Sequence, residues 1–256
     1  VSQRETPAAN QIKAAIIALQ FLSAIPVGQQ SAPTEKEIGA SLSWYPLVGL
    51  LLGIILCSAS LLLSFVFPTL LSAALILTLW VVLTGALHLD GFADSADAWM
   101  GGLGSKERTL RLLKDPTSGP IAIAATVLLM LLKLLTIELI INQDIWLLIW
   151  PLVFARISAS LLFVTTPYAR KSGLGSAIAE HKQDHQVWLG SIILMLASCY
   201  FLGWAVIIPL LFVSCLSFYY LRSRMMKRLK GCTGDTAGAM IEILECITLL
   251  VLVACQ

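Results

Sequence analysis

The 256-residue chain has little charge: Asp, Glu, Lys and Arg together make up 12% of it, where a globular chain carries about a quarter. It is 58% apolar with a mean hydropathy of +0.86, so too few charged groups remain to cover a soluble surface. That excludes a water-soluble globular domain and places most of the chain in lipid. The apolar runs leave no loop long enough to fold separately, and residues 1–256 read as a single integral membrane domain. A net charge of +2 is too small for a nucleic-acid partner. The six cysteines show no CxxC or Cys/His spacing, so neither a zinc site nor a disulfide framework follows. Internal repeats, low-complexity tracts and a flexible linker are absent as well, and the amino-terminal apolar segment lacks the small-residue cleavage pattern of a signal peptide.

What is present is a series of apolar runs. Residues 12–27 are short for a hydrocarbon core of about 30 Å and end in Ile25-Pro26, which predicts a re-entrant or interfacial segment. Spans are predicted at 44–67, 70–89, 121–141 and 145–166. The run 187–221 is too long for one helix and is divided near Gly203, and a last span covers about 239–254. The fold class is therefore an all-α polytopic bundle of about six to seven transmembrane helices.

The connections at 68–69, 142–144 and around Gly203 contain no Lys or Arg. Lys36, the group from Lys106 to Lys114, Arg170, Lys171, Lys182, and Arg222, Arg224, Lys227, Arg228 and Lys230 fall in the alternate loops. By the positive-inside rule those loops face the cytoplasm.

At the end of the 70–89 run stands His88-Leu89-Asp90-Gly91-Phe92-Ala93-Asp94-Ser95-Ala96-Asp97. On a helix, spacings of four and three gather Asp90, Asp94 and Asp97 within an arc of roughly 60° and about 10 Å of axis. Three hard oxygen donors on one face suit Mg²⁺, which takes a few carboxylates together with water and phosphate oxygens. A solvated first turn favoured by the helix dipole is the bland alternative. Two residues upstream of Asp90, His88 is a candidate general base, and a packing role is as good a reading.

A basic stretch follows, with Arg108, Arg111 and Lys114 ahead of Asp115, suited to phosphate or to headgroups. Arg170 and Lys171, with Gly173 and Gly175 beside them, and the segment Thr233-Gly234-Asp235-Thr236 would lie on the same membrane face. The latter segment fits either a helix start capped through Asp235 or Thr236 or an anion site, with Asp235 and Glu242 sharing a face near the metal. Within the membrane, Lys133, Glu138 and Arg156 need partners or a polar cavity.

With these residues assembled, the chain resembles the cobalamin synthase family, the adenosylcobinamide-GDP ribazoletransferases. The resemblance covers nearly the whole chain and rests on the 88–97 motif, Lys114-Asp115, Pro167-Tyr168-Ala169-Arg170 with Gly173-Leu174-Gly175, and Thr233 to Thr236 with Gly238, Ala239 and Glu242. It implies an inner-membrane transferase of vitamin B12 assembly with a cytoplasm-facing site. Such an enzyme joins adenosylcobinamide-GDP to α-ribazole or its 5′-phosphate and releases GMP, with Mg²⁺ as cofactor and the lipid bilayer as its setting. A homo-oligomer, or a complex with other cobalamin-assembly enzymes, is compatible with it.

On this reading Asp90, Asp94 and Asp97 hold the metal, with Asp235 as a further ligand, and His88 and Lys114 join them in catalysis. Arg108, Arg111, Arg156, Arg170, Lys171, Thr233, Gly234, Asp235 and Glu242 contact substrate. Pro116-Thr117 stands where the family pattern has Ser-Arg, and Ala24 stands where it has Arg. Both departures remove a cation. A CDP-alcohol phosphotransferase or prenyltransferase is the alternative enzyme, although Asp94 falls where the former has Arg. A cation-coupled transporter using Lys133, Glu138 and Arg156 is the alternative from another class.

Overall fold

A computed structural model describes residues 7–28, 32–170 and 174–255. In chain order the helices are α1 (Pro7–Leu22), α2 (Glu35–Ser41), α3 (Tyr45–Ser64), α4 (Thr69–Thr84), α5 (Leu87–Gly101), α6 (Lys106–Leu112), α7 (Pro120–Gln143), α8 (Ile149–Thr165), α9 (Leu174–His181), α10 (Asp184–Leu202), α11 (Trp204–Leu229) and α12 (Gly234–Ala254). Short 3-10 turns lead into α3 and α8. Six helical paths are long and apolar enough to cross a membrane, and α4 with α5 makes a seventh if that bent pair is one span. The protein is thus a multi-pass helical bundle, as its composition requires.

The core is built on α8 and α12, which are buried along most of their length; α3, α5 and α7 pack around them. Lipid would meet the outer faces, where Leu62, Leu128, Leu196 and Phe212 are exposed. α1 ends beside α4, with the Ala24 amide donating to the Leu83 carbonyl, and it is not among the spanning paths.

Three boundaries differ from the sequence expectation, each for a local reason. The 70–89 run stops at Thr84, because Gly85 (φ 61) and Ala86 (φ 56) are left-handed, a conformation that glycine adopts freely and that ends helices. α5 then leaves at 88° to α4, carrying the acidic motif on a helix of its own. The division at Gly203 is as expected, but α11 continues to Leu229. Arg222, Arg224, Lys227 and Arg228 are therefore helical rather than loop residues, since long cations propagate helix and complement a carboxyl-terminal dipole. α12 begins at Gly234, five residues before the predicted start, because Thr233 caps it.

Polar contacts gather one end of the bundle. Ala169 N–H donates to the Cys232 carbonyl at 2.8 Å and Cys232 N–H to the Pro167 carbonyl at 2.9 Å, which pins the strand-like loop after α8 against the entry to α12. Arg228 reaches the Trp99 carbonyl and the Thr109 hydroxyl, and Lys182 donates to the Phe163 and Val164 carbonyls at the end of α8. The acidic motif, α6, α9 and the start of α12 therefore share one end.

Candidate functional site

The site begins with how closely α5 approaches α12. A Cβ at Gly91 would stand 2.8 Å from the Asp235 carbonyl oxygen and 3.0 Å from its Cα, so only glycine allows this crossing. The approach brings two sequence segments, 144 residues apart by their numbers Gly91 and Asp235, into one cluster. Asp94 is half-buried and lies in the electrostatic neighbourhood of Asp90, Asp235, Asp97 and Arg170.

The four acids are not equivalent. Asp97 accepts the Gly119 amide on one oxygen and the Ala122 amide, at 2.9 Å, on the other, closing the first turn of α7. Asp235 accepts from Arg170 Nη2 at 2.6 Å and, more weakly, from the Thr233 hydroxyl at 3.4 Å. Asp90 and Asp94 have no hydrogen-bond or ion-pair partner among the described residues. Asp90 opens into a cavity of about 360 Å³ lined also by Ser118 and Thr126. Among the described residues four carboxylates face the guanidinium of Arg170, an excess of negative charge that draws a cation. Among the described residues no three acid, histidine or cysteine groups close on one point as a ready metal cage.

The remaining predicted residues fall in three places. Arg108, Arg111 and Lys114 are exposed on and just after α6, at the polar end of the bundle. There the Thr117 hydroxyl and amide both donate to Asp115 and hold its carboxyl below the usual range, so the residue standing for the family's Arg is engaged locally. The Thr233 side chain is fully buried and spent on the capping box with Thr236. Capping of α12 thus comes from Thr233 with Thr236, and Asp235 is turned to Arg170. Gly234 is exposed, and Lys171 lies outside the described residues. Tyr168, beside Arg170, has its phenol pushed up by burial against the opposing pull of that guanidinium. Burial pushes the neighbouring Cys232 thiol up to about 12, which keeps it protonated and unreactive.

The third place is a buried ion network at membrane depth. Lys133 donates to Glu242 at 2.6 Å and to Glu245, and Arg156 pairs with the other Glu245 oxygen; Trp80 covers the lysine, its ring centroid 4.9 Å from Nζ. Two cations meet two anions, so no net charge is left for a transport path. Glu242, expected beside the metal with Asp235, is a member of this network instead, and Glu138 is not. His88 sits against it with Nδ1 unpartnered among the described residues, on the side of α5 turned away from Asp90 and Asp94. The Glu245 pairing was missed from sequence, although two buried cations and two glutamates three apart on the last span carried the signal. The anchoring roles of Arg222, which reaches the Thr165 carbonyl and Thr166 hydroxyl, and of Arg228 were equally unforeseen.

A multi-pass helical membrane protein with an acid cluster paired to an arginine at one end of the bundle is the class that this fold and site define. The chain belongs to the family described as CobS, cobalamin-5-phosphate synthase, whose pattern matches residues 14–253. It is 50% identical over 238 residues to the adenosylcobinamide-GDP ribazoletransferase of Pseudomonas putida, covering 91% of this chain and 95% of that protein. It is 47% identical over 243 residues to the enzyme of the same name from Pseudomonas aeruginosa, covering 94% and 98%. The one from Pseudomonas syringae pv. syringae is 48% identical over 242 residues, covering 92% and 97%. No solved structure matches. Membership of this family sets aside the CDP-alcohol phosphotransferase, prenyltransferase and transporter readings.

Proposed function

We propose that the chain is a membrane transferase that joins adenosylcobinamide-GDP to α-ribazole, or to its 5′-phosphate, and releases GMP in cobalamin assembly. The family and the names of its relatives support the activity. The single observation that carries the site is the meeting of α5 and α12 at Gly91, which sets Asp90 and Asp94 beside Asp235 and Arg170. A ribazole hydroxyl oxygen forms a bond to the cobinamide-side phosphorus and gives up its proton to water, the bond from that phosphorus to the bridging oxygen breaks, and GMP departs with the bridging oxygen. Such a displacement asks the protein mainly to position the groups and to balance charge.

Asp90 and Asp94, whose oxygens are unengaged among the described residues, fit Mg²⁺, with Asp235 as a shared third donor. An ion that keeps several waters and uses substrate phosphate oxygens does not need a closed protein cage. When bound, Mg²⁺ supplies neutralisation of the diphosphate and of the charge developing on the leaving group. Arg170, oriented by Asp235, presents its guanidinium to the phosphate; Asp97 holds the start of α7 against α5; and exposed Arg108, Arg111 and Lys114 draw the anionic substrate to this end. The basic loops favour a cytoplasm-facing site in a bacterial inner membrane.

The test is purified protein in liposomes with cobinamide-GDP, α-ribazole and Mg²⁺, followed by mass analysis. Cobalamin and GMP in equal amounts are expected. Intact cobinamide-GDP would refute the function.

A further inference from the structure

A second cleft opens next to Arg170. It has a volume of about 490 Å³, within the range of small-molecule sites, about 300–1,000 Å³, and is lined by Thr165, Thr166, Tyr168, Arg170, Glu180 and Lys182. Its lining carries charges of both signs. Arg170 joins the cleft directly to the acid cluster through Asp235, and the buried Arg170 Nε has no partner among the described residues. Lys182 spends two of its three donors on the Phe163 and Val164 carbonyls and keeps one for a ligand oxygen. On the α9 wall is Glu180, without an ion-pair or hydrogen-bond partner among the described residues.

A ligand for this cleft needs an anion for Arg170 and Lys182 and a pair of donors for the Glu180 carboxylate. A guanine nucleotide offers both. Its phosphate meets cations, and its N1–H and exocyclic amino group present two parallel donors that the two oxygens of an ionised carboxylate accept together. Adenine has an acceptor at the ring nitrogen where guanine has N–H, and a carboxylate repels it. We propose that this cleft holds the guanosine part of the diphosphate substrate and that Glu180 selects guanine over adenine. The proposal rests on the ribazoletransferase reading, and it adds a specificity residue on a helix, α9, that carries none of the metal-binding acids.

The experiment measures GMP, IMP and AMP binding by calorimetry to the purified full chain in phosphatidylethanolamine/phosphatidylglycerol nanodiscs. Wild type should bind GMP best, IMP, which lacks the amino group, less well, and AMP weakest. In Glu180→Gln, GMP affinity should fall by about ten- to hundredfold, the discrimination carried by one good bidentate contact to a base, while AMP affinity holds or rises. Ala179→Trp, which fills the cleft, should weaken all three. Equal binding of GMP and AMP by wild type, a GMP preference retained in Glu180→Gln, or normal binding in Ala179→Trp overturns the proposal. Release of GMP by wild type in the liposome assay is independent of those outcomes, so failure of the cleft assignment is separable from failure of the proposed reaction.

Discussion

Asp94 and Asp97 stand three residues apart on α5 and carry the same group, yet the structure gives them opposite employment. Both oxygens of Asp97 are taken by the amides of Gly119 and Ala122, a cap supplied to α7 from another helix and strengthened by the carboxylate charge. Asp97→Ala should therefore cost about 0.5–2 kcal/mol, the range for losing a helix cap, seen as a lower unfolding temperature in detergent. An unchanged unfolding temperature would contradict the cap. The type and spacing of the acids were legible in sequence, because three aspartates in register on an apolar chain have few bland explanations. Which of them were spoken for was not legible, since the partners of Asp97 lie more than twenty residues away and depend on where α7 starts. Thr233 was legible only as part of a capped start, and its burial could not be read from the segment alone.

At the scale of elements, the decisive feature is a helix pair that sequence treats as one run. The apolar count from 70 to 89 is continuous, and only the left-handed Gly85 and Ala86 separate α4 from α5 and free the acidic helix to cross α12. Hydropathy found the other spans because lipid exposure is written directly in composition, whereas a bend is written in two dihedral angles. The ions at the centre bind α7, α8 and α12 together, with Glu245 completely buried and bonded to both Lys133 and Arg156. Removing one partner of such a network strands the others. Glu245→Gln should destabilise by about 3–5 kcal/mol, measured as loss of folded, membrane-inserted protein and of its thermal transition. Replacing Lys133 by Met together with Glu242 by Leu removes a cation and an anion together and should be milder. Equal losses in the two variants would contradict the pairing.

For the whole molecule, the loop anchors from Arg228 on Trp99 to the Cys232 bridge lie at the end that bears the acids, and the connections at the other end contain no Lys or Arg. That asymmetry predicts sidedness. In a background lacking the native cysteines, Asn142→Cys should react with an impermeant thiol reagent added outside intact cells, and Leu103→Cys, on an exposed turn after α5, should react only after permeabilisation. Labelling of Leu103→Cys from outside would reverse the orientation.

The most direct measurement of the central claim is GMP release by Asp94→Asn, normalised to inserted protein, across a Mg²⁺ titration. The substitution keeps size and removes the charge that a hard cation needs, and among the described residues Asp94 has no hydrogen-bond or ion-pair partner to lose. Turnover should fall by orders of magnitude with the unfolding temperature unchanged. Turnover within a few-fold of wild type at every Mg²⁺ concentration would contradict the assignment of the α5 acids as the centre of the reaction.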